Sequence, residues 1–188
     1  PEEADFSAGS VVLLAESHLD GSALGTMRIQ TNRYAPLALE QSLTLPPALN
    51  NSLLAEATRL GVAEGRVGTL VKTVLFKVFY LYCLHSGVDW MVVTGRAPVD
   101  RQYLRMLFDA VYPDKGYIPM HHVGGLPHRV MKFAAPPAQQ RWAAVHHPLL
   151  KFMVETHHPD IRLDAREEPF VQAPGTAPVL LQTPALVM

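Results

Sequence analysis

Residues 53–62 read LLAEATRLGV, an apolar, strand-like run that carries one carboxylate, Glu56, and one guanidinium, Arg59. Moving either charged group from water into a protein interior costs several kcal/mol unless the group is paired or used. A core strand that holds both charges therefore indicates either a structural ion pair or a functional site. In a regular strand, residues i and i+3 point to opposite faces. Glu56 and Arg59 can share one face only if a β-bulge lies between them.

An earlier strand, Gly25-Thr26-Met27-Arg28-Ile29, supplies a second arginine. Together, Glu56-x-x-Arg59 and this strand resemble two motifs of the acyl-homoserine lactone synthases and the N-acyl amino acid synthases. Both belong to the GCN5-related N-acyltransferase (GNAT) superfamily. In this resemblance Glu56 and Arg59 match a Glu-x-Ser-Arg-Phe signature, Arg28 matches the arginine of a Gly-x-x-Arg strand, and Asp5 matches an acidic residue near the start.

The resemblance covers about residues 5 to 133 and departs from the family signature at two positions. Thr58 and Leu60 stand where the signature has Ser and Phe, which favours the amino acid synthases over the lactone synthases. The fold that the resemblance implies is α+β, a GNAT-like three-layer α/β/α arrangement with a twisted mixed, largely antiparallel sheet. We expect residues 1–136 to form the acyltransferase core, and residues 137–188 to form a C-terminal helix and an extended tail packed on it.

Hydrophobic periodicity and turn residues give the order of elements without reference to any family. The pattern predicts a β-hairpin, then a long loop or short helix over the sheet, then alternating strands and helices, and last a closing hairpin and a helix. The predicted ranges are strands 10–16 and 24–30, loop 31–50, strand 53–62, helix 67–86, strand 88–94, helix 98–112, hairpin 118–123 with 128–133, and helix 139–156.

Composition indicates a single enzyme-sized domain, since 188 residues with 48% hydrophobic content can bury a sizeable core. A net charge of −1 argues against a general nucleic-acid binder. There is no charge-free apolar run of about 18 residues or more and no signal sequence, so we expect no membrane span. The single Cys83 fits a reducing cytoplasm and is expected to be a buried hydrophobe. Because the chain begins with Pro1 rather than Met, an N-terminal part could be missing.

The turn between strand 53–62 and helix 67–86 contains Gly65, Arg66, Val67, Gly68 and Thr69. Glycines there would let backbone amides at the helix start approach an anion. In the GNAT superfamily the corresponding turn, with a Gln/Arg-x-x-Gly-x-Gly/Ala pattern, holds the pyrophosphate or phosphopantetheine of the acyl donor. The resemblance therefore implies that these five residues bind the donor. The alternative is an ordinary glycine-containing turn.

Tyr103 lies in a segment that resembles the Tyr-x-x-x-Gly-Phe segment of many acetyltransferases, although Leu107 replaces the usual Gly. The resemblance implies that Tyr103 is a general acid that protonates the departing thiolate. An aromatic residue among apolar neighbours is more often part of the core, so both interpretations stay open.

Three histidine doublets, at 121–122, 146–147 and 157–158, invite a metal hypothesis. Adjacent side chains diverge on a strand or a helix, so each doublet supplies one ligand to a given site, and no established metal-binding spacing is present. We predict solvated or capping histidines and no metal site. Neither a Gly-x-Ser-x-Gly elbow nor a Walker A loop is present, which argues against hydrolase and phosphotransfer chemistry.

The function that these residues predict is N-acylation of an amino acid or related small amine. By resemblance, the donor is a long-chain acyl thioester on acyl carrier protein, or an acyl-CoA, used as co-substrate with no tightly bound cofactor. Glu56 would act as general base, and Arg28 or Arg59 would pair with the acceptor carboxylate or orient Glu56. If Arg59 pairs with Glu56, Arg59→Ala should cost more stability than Arg28→Ala.

Acyl carrier protein is acidic, and the sequence offers a basic cluster for it at Arg96, Arg101 and Arg105. A solvated helix face is the other interpretation of that cluster. A homodimer could also form. Two alternative functions stay open: a coenzyme A dependent N-acetyltransferase, and a catalytically silent GNAT-fold protein that binds a ligand or partner and holds Glu56 and Arg59 as an ion pair.

Overall fold

A hairpin and a strand–helix–strand unit form the middle of the sheet in the computed structural model, which describes residues 2–161 and the backbone of Leu181–Gln182. The strands are β1 (Ser10–Glu16), β2 (Ala23–Thr31), β3 (Leu54–Val62), β4 (Trp90–Gly95), β5 (Asp109–Ala110), β6 (Ile118–Met120), β7 (Leu126–Ala134) and β8 (Leu181–Gln182). The α-helices are α1 (Gly65–His85), α2 (Asp100–Arg105) and α3 (Ala138–Ala144). Short 3-10 turns lie at Glu3–Phe6, Ala38–Gln41, Pro47–Leu49 and His121–Val123, and a π-helical turn at Lys151–Glu155.

The sheet is mixed and mostly antiparallel, with strand order β5-β7-β4-β3-β2-β1-β8 and with β6 paired to β7. Within it, β3 and β4 are parallel because α1 connects them as a crossover. β1 and β8 also pair in parallel. The α+β class and the mixed sheet predicted from the sequence are confirmed.

α1 packs along one face of the sheet and supplies much of the larger core. Five residues of the predicted apolar stripe are buried: Val71, Val74, Leu75, Val78 and Phe79. Leu70 of that stripe is exposed, and residues 74–80 are buried without interruption, so the middle of the helix is enclosed on all sides. Gly87, at φ 67°, lets the chain leave the helix. By length and composition α1 could also cross a membrane. Its apolar residues pack against the sheet, which explains that composition within the part of the chain described here.

The opposite face of the sheet is covered by the segment between β2 and β3, where the sequence predicted a long loop or short helix. This segment contains two of the 3-10 turns, and its leucines form a second core cluster with the sheet. The fully or almost fully buried members are Leu37, Leu39, Leu45, Leu49, Leu54, Val92, Met120 and Val130. Two layers therefore cover the sheet, α-helical on one face and built of 3-10 turns on the other.

Two predicted helices are shorter than the sequence indicated. The helix expected over 98–112 ends at Arg105, because Leu107 adopts φ 71° and turns Phe108 back to stack on Phe133 at 5.2 Å. The helix expected over 139–156 ends at Ala144, and a turn leads to the π-helical turn near Pro148. Both predicted lengths were wrong. In both cases the core packing of the following residues overrides the local preference for helix.

The C-terminal part continues to pack on the sheet as far as the structure describes it. Trp142 of α3 stacks on Phe133 at 5.2 Å and contacts Tyr80 of α1 edge-on. The Nζ group of the buried Lys77 donates hydrogen bonds to the carbonyls of Phe152 and Thr156, which caps the π-helical turn. The predicted extended tail from residue 169 onward lies outside the described residues except for the backbone of β8.

Candidate functional site

The site is organised by a β-bulge in β3. Between the pairs Thr26–Gly61 and Arg28–Thr58, β2 contributes one residue and β3 contributes two, Arg59 and Leu60. Arg59 adopts φ 53°, a left-handed conformation that is strained for a residue with a side chain. From the sequence, Glu56 and Arg59 could share a face only if a bulge lay between them. The observed bulge lies one step further on, at Arg59 and Leu60, after the regular pair Arg28–Thr58. It borders an open groove of about 350 Å³ lined by Asp5, Val12, Thr26, Arg28, Arg59, Leu60 and Gly61.

Beyond Ala57, β3 separates from β4. The parallel pairing runs from Leu54–Trp90 to Ala57–Val93 and stops there, although both strands continue. A gap therefore opens between the C-terminal halves of these two strands, two residues before the bulge at Arg59 and Leu60. We call this gap between β3 and β4 the splay.

Arg28 is the centre of a polar network at the groove. Its side chain is 7% exposed. Its Nε donates to Thr58 Oγ1 at 3.1 Å across the two strands, and its Nη1 donates to Asp5 Oδ1 at 3.1 Å. Nη1 also lies 3.4 Å from Glu2 Oε2. A buried guanidinium is thus satisfied by two carboxylates and a hydroxyl.

Asp5 completes this network from the 3-10 turn at the start of the chain. Burial raises the pKa of Asp5, but the hydrogen bonds from the Glu2 amide and from Arg28 outweigh it. The net pKa of this carboxyl is therefore below its usual value. Asp5, matched by resemblance to an acidic residue near the start, is therefore an ionised group on the groove wall.

Glu2 is the residue that the sequence interpretation missed. Its carboxylate lies between the two arginines and contacts Arg59 Nη1 with one oxygen and Arg28 Nη1 with the other. The available signal was its spacing, because residues i and i+3 of a 3-10 turn lie on one side. Glu2 stands three positions before Asp5, so both carboxylates face the arginines.

Glu56 is completely buried on the face of the sheet away from α1. Its Oε2 accepts a hydrogen bond of 3.1 Å from the amide of Leu39, in the 3-10 turn above it. Its Oε1 has no hydrogen-bond partner among the described residues. Burial raises the pKa of Glu56 to about 7, while the Leu39 amide and the nearby Arg28 charge oppose that rise.

Glu56 and Arg59 do not form the ion pair that the sequence suggested. The side chain of Arg59 is 53% exposed and pairs with Glu2. The bulge carries Arg59 away from Glu56 and towards Arg28. The prediction that loss of Arg59 would leave a buried carboxylate unpaired was therefore wrong, and the silent-protein alternative loses the ion pair it invoked.

The predicted donor-binding turn, Gly65 to Thr69, forms the first turn of α1, beside the splay. Gly65 has φ 79° and open space around its Cα, whereas a Cβ on Gly68 would overlap the carbonyl oxygen of Ala63. Glu64 precedes the helix without a side-chain cap, so first-turn amides are left without that partner. Arg66 and Thr69 are exposed, and Thr69 Oγ1 bonds to the Gly65 carbonyl at 3.2 Å.

Tyr103 lies in the aromatic part of the larger core, in contact with Phe76 and Phe108. Burial raises the pKa of its hydroxyl to about 12. Tyr103 belongs to the α1 side of the sheet and Glu56 to the other, so the structure does not bring the two together. A general-acid role for Tyr103 stays a prediction.

The histidine doublets are separate from one another. Among residues 2–161 no three His, Cys, Asp or Glu side chains come together in a way that could hold a metal ion. His122 differs from the solvated histidines that the sequence predicted, because its Nδ1 is buried without a hydrogen-bond partner in the described part. Burial lowers the pKa of His122, and the charges of His128 and Arg28 lower it further.

Comparison with solved structures gives the wider context. FeeM, an N-acyl amino acid synthase from uncultured soil microbes, matches with a TM-score of 0.52 at 16% identity over 66% of this chain and 69% of its own. The fold is GNAT-like. BjaI, a CoA-dependent acyl-homoserine lactone synthase solved with SAM and isopentyl-CoA, matches with a TM-score of 0.45 at 14% identity over 78% of this chain and 69% of its own.

No protein-family model matches the sequence, and no curated protein does either. The predicted similarity to the GNAT acyl synthases is confirmed in the fold. At 16% identity the likeness extends to the fold alone.

Proposed function

We propose that this protein is an N-acyltransferase that moves an acyl group from a thioester to the amine of an amino acid. The observation that carries this proposal is a completely buried Glu56, with a pKa of about 7, next to a groove with two arginines. A general base works best when its pKa is close to the working pH. The GNAT-like fold supports the proposal, because FeeM, which shares it, is an acyltransferase.

The acceptor binds in the groove by its carboxylate. Arg28 and Arg59 lie close enough for one carboxylate to contact both, as Glu2 does. A substrate carboxylate in that position would keep the same charge-assisted hydrogen bonds. The pairing favours acceptors that carry a carboxylate beside the amine over simple amines.

The chemical step uses Glu56 as the proton acceptor. The acceptor nitrogen attacks the thioester carbonyl carbon and transfers a proton to Glu56 directly or through water. The C–N bond forms, the C–S bond breaks, and the sulfur leaves as a thiolate that takes a proton from Glu56 or from solvent. The arginines and Asp5 hold the acceptor so that its amine faces the thioester.

The donor enters where β3 and β4 separate. The first turn of α1 lies beside this gap, and its free amides suit the phosphate of a phosphopantetheine arm. A carrier protein is the proposed source of that arm, since Arg101 and Arg105 expose a positive surface on α2, after β4. Long-chain acyl groups on acyl carrier protein are the proposed donors, and acyl-CoA is the alternative.

A donor and acceptor screen with the purified chain tests the function. Acyl-carrier and acyl-CoA thioesters of short and long chains are each offered with the protein amino acids, and products are identified by mass spectrometry. We expect N-acyl amino acids from a carrier-bound donor. Products from acetyl-CoA alone would support the acetyltransferase instead. No product from any combination would contradict catalysis and leave a ligand-binding protein.

Glu56→Gln supplies the matched variant, because it keeps the size and removes the basicity of the side chain. We expect turnover to fall by at least about a hundredfold with folding retained. Glu155→Gln is the control, since Glu155 is exposed on the π-helical turn. Equal turnover of wild type and Glu56→Gln at neutral pH would exclude Glu56 as the base.

A further inference from the structure

Glu56 is closed off from solvent in this structure. None of its surface is exposed, and the residue that covers it, Leu39, is itself completely buried. An acceptor amine therefore cannot contact the carboxylate while this cover is in place. If Glu56 is the base of the proposed function, on which this inference rests, the cover has to move during each cycle.

The cover is residues 36–44, which we call the flap. It leaves the sheet after β2, forms the 3-10 turn Ala38–Gln41 and has no other regular structure. The backbone at both ends of the β2–β3 connection is fixed by Asn32. Its side chain accepts a hydrogen bond from the Leu54 amide at 2.8 Å and donates one to the Ser52 carbonyl at 3.1 Å. Asn32 thus ties the two ends of the whole connection together.

The flap itself is held along its edges by isolated hydrogen bonds. Gln30 donates to the carbonyl of Pro36 at 3.3 Å, and Tyr112 donates to the carbonyl of Thr44 at 2.6 Å. The amide of His121 donates to Ser42 Oγ at 2.7 Å. Strands share a continuous ladder, whereas the backbone of this segment is held by these separate contacts. Opening has to break them and also to expose Leu37 and Leu39, which are buried in the second core cluster.

The two oxygens of Glu56 are in different states. Oε2 accepts from the Leu39 amide of the flap, and the neighbouring Ala38 amide also stabilises the charged carboxylate, whereas Oε1 is buried without a partner at hydrogen-bond geometry in the described part of the chain. A buried acceptor without a donor is costly and calls for a donor that arrives later. The N–H of an acceptor amine is such a donor.

We infer that the flap is a lid over Glu56, which opens to admit the amino acid and closes with the amine on Oε1. The Leu39 amide is a positioning group: it fixes Oε2 so that Oε1 faces the amine. Closure also removes water from the carboxylate, which keeps its basicity high at the moment of proton transfer.

A reversible disulfide that holds the flap closed tests whether the flap has to open during turnover. Ser42→Cys combined with His121→Cys places two thiols where the flap meets the 3-10 turn His121–Val123, and the native Cys83 is completely buried. We expect the turnover of the double variant to fall at least tenfold on oxidation and to return on reduction. The single variants are the controls and should not respond to oxidant. Full turnover in the oxidised form, with the disulfide verified by mass spectrometry, would overturn the lid.

Hydrogen exchange supplies a readout that does not depend on catalysis. We expect peptides from residues 36–44 to exchange at least about a hundredfold faster than peptides from β3, because the flap opens without global unfolding. The disulfide should remove that difference. Equal, slow exchange in both regions would overturn the lid even if the enzyme is active. If the wild type is inactive but the flap exchanges fast, the proposed function is wrong while the opening of the flap still stands.

Discussion

Arg28 and Thr58 face each other across β2 and β3, and the Arg28 guanidinium donates to the Thr58 hydroxyl at 3.1 Å. Thr58 therefore does more than fill the middle of the Glu56-x-x-Arg59 motif. It fixes the buried end of Arg28, so that Nη1 points at Asp5 and Glu2. The motif residues that the sequence grouped by spacing are connected through Arg28, which lies on the neighbouring strand.

This relationship reverses the expected order of stability effects. Arg28→Ala removes the partner of the largely buried Asp5 and of Thr58, so we expect it to lower the free energy of unfolding by about 2–4 kcal/mol. Arg59→Ala loses an exposed ion pair and should cost less than about 1 kcal/mol. Arg59→Gly is the matched control, because glycine relieves the φ of 53°. Urea midpoints measure all three, and a larger loss for Arg59→Ala would refute this arrangement.

The raised pKa of Glu56 predicts how stability depends on pH. The folded state keeps a proton up to pH about 7, whereas the unfolded state releases it near the usual value of 4.5. Stability from this group is therefore lost as the pH rises from 4.5 through 7, by about 3 kcal/mol at most. Glu56→Gln lacks this ionisation. Its free energy of unfolding should therefore rise relative to that of wild type, by up to that amount, between pH 5 and pH 8.

Urea unfolding at several pH values checks this prediction, with Glu155→Gln as the control for the loss of an exposed carboxylate. The difference between wild type and Glu155→Gln should stay constant across the range. Parallel curves for wild type and Glu56→Gln would show that Glu56 ionises at its usual pH, and Glu56 would then not be a base with a pKa near neutrality.

The two glycines at the start of α1 predict unequal tolerance. Alanine at Gly68 would place a Cβ on the carbonyl oxygen of Ala63, so the helix start has to shift. We expect Gly68→Ala to cost about 2–3 kcal/mol. Gly65→Ala meets open space and strains only the φ of 79°, at about 1 kcal/mol. Thermal unfolding of the two variants compares them, and equal melting temperatures would contradict the close approach at Gly68.

Sequence patterns were sufficient where local signals and packing agree. The hairpin, β3, α1 and β4 follow from periodicity and from the turn residues that bound them. The position of the bulge, at Arg59 and Leu60, does not follow from the spacing of Glu56 and Arg59. The helix expected over 98–112 ends early because Leu107 takes a positive φ that leucine disfavours, and the packing of Phe108 against Phe133, Phe76 and Tyr103 offsets that cost.

The site was harder to predict because its partners come from distant parts of the chain. Arg59 looked like the partner of Glu56 by spacing, but Arg59 pairs instead with Glu2, which precedes the β1–β2 hairpin in the chain. The cover over Glu56 comes from a 3-10 turn with no strong sequence signal. Long-range pairing of this kind depends on the assembled sheet, which spacing along one strand does not describe.

The three arginines of the basic surface predicted to bind a carrier protein are all exposed. Arg101 and Arg105 lie one turn apart on α2 and are both exposed, and Arg96 is exposed just before the helix. Asp100 is buried and bonded to the Tyr117 hydroxyl at 2.7 Å, so it does not oppose these charges at the surface. The exposed positive charge of Arg96, Arg101 and Arg105 is therefore not offset by Asp100.

Reversing that patch tests the proposed partner. Charge contacts of this type act on encounter and are screened beyond about 10 Å at 0.1 M salt. We expect Arg101→Glu with Arg105→Glu to raise the apparent KM for an acyl carrier protein at least tenfold at low salt, and less at high salt. Turnover with a small acyl-pantetheine donor should barely change. Arg33→Glu with Lys151→Glu, two exposed residues outside the patch, alters net charge equally and should leave the KM unchanged. An equal loss with both donors would mean that the double variant harms the active site, and an unchanged KM for the carrier would place the docking surface elsewhere.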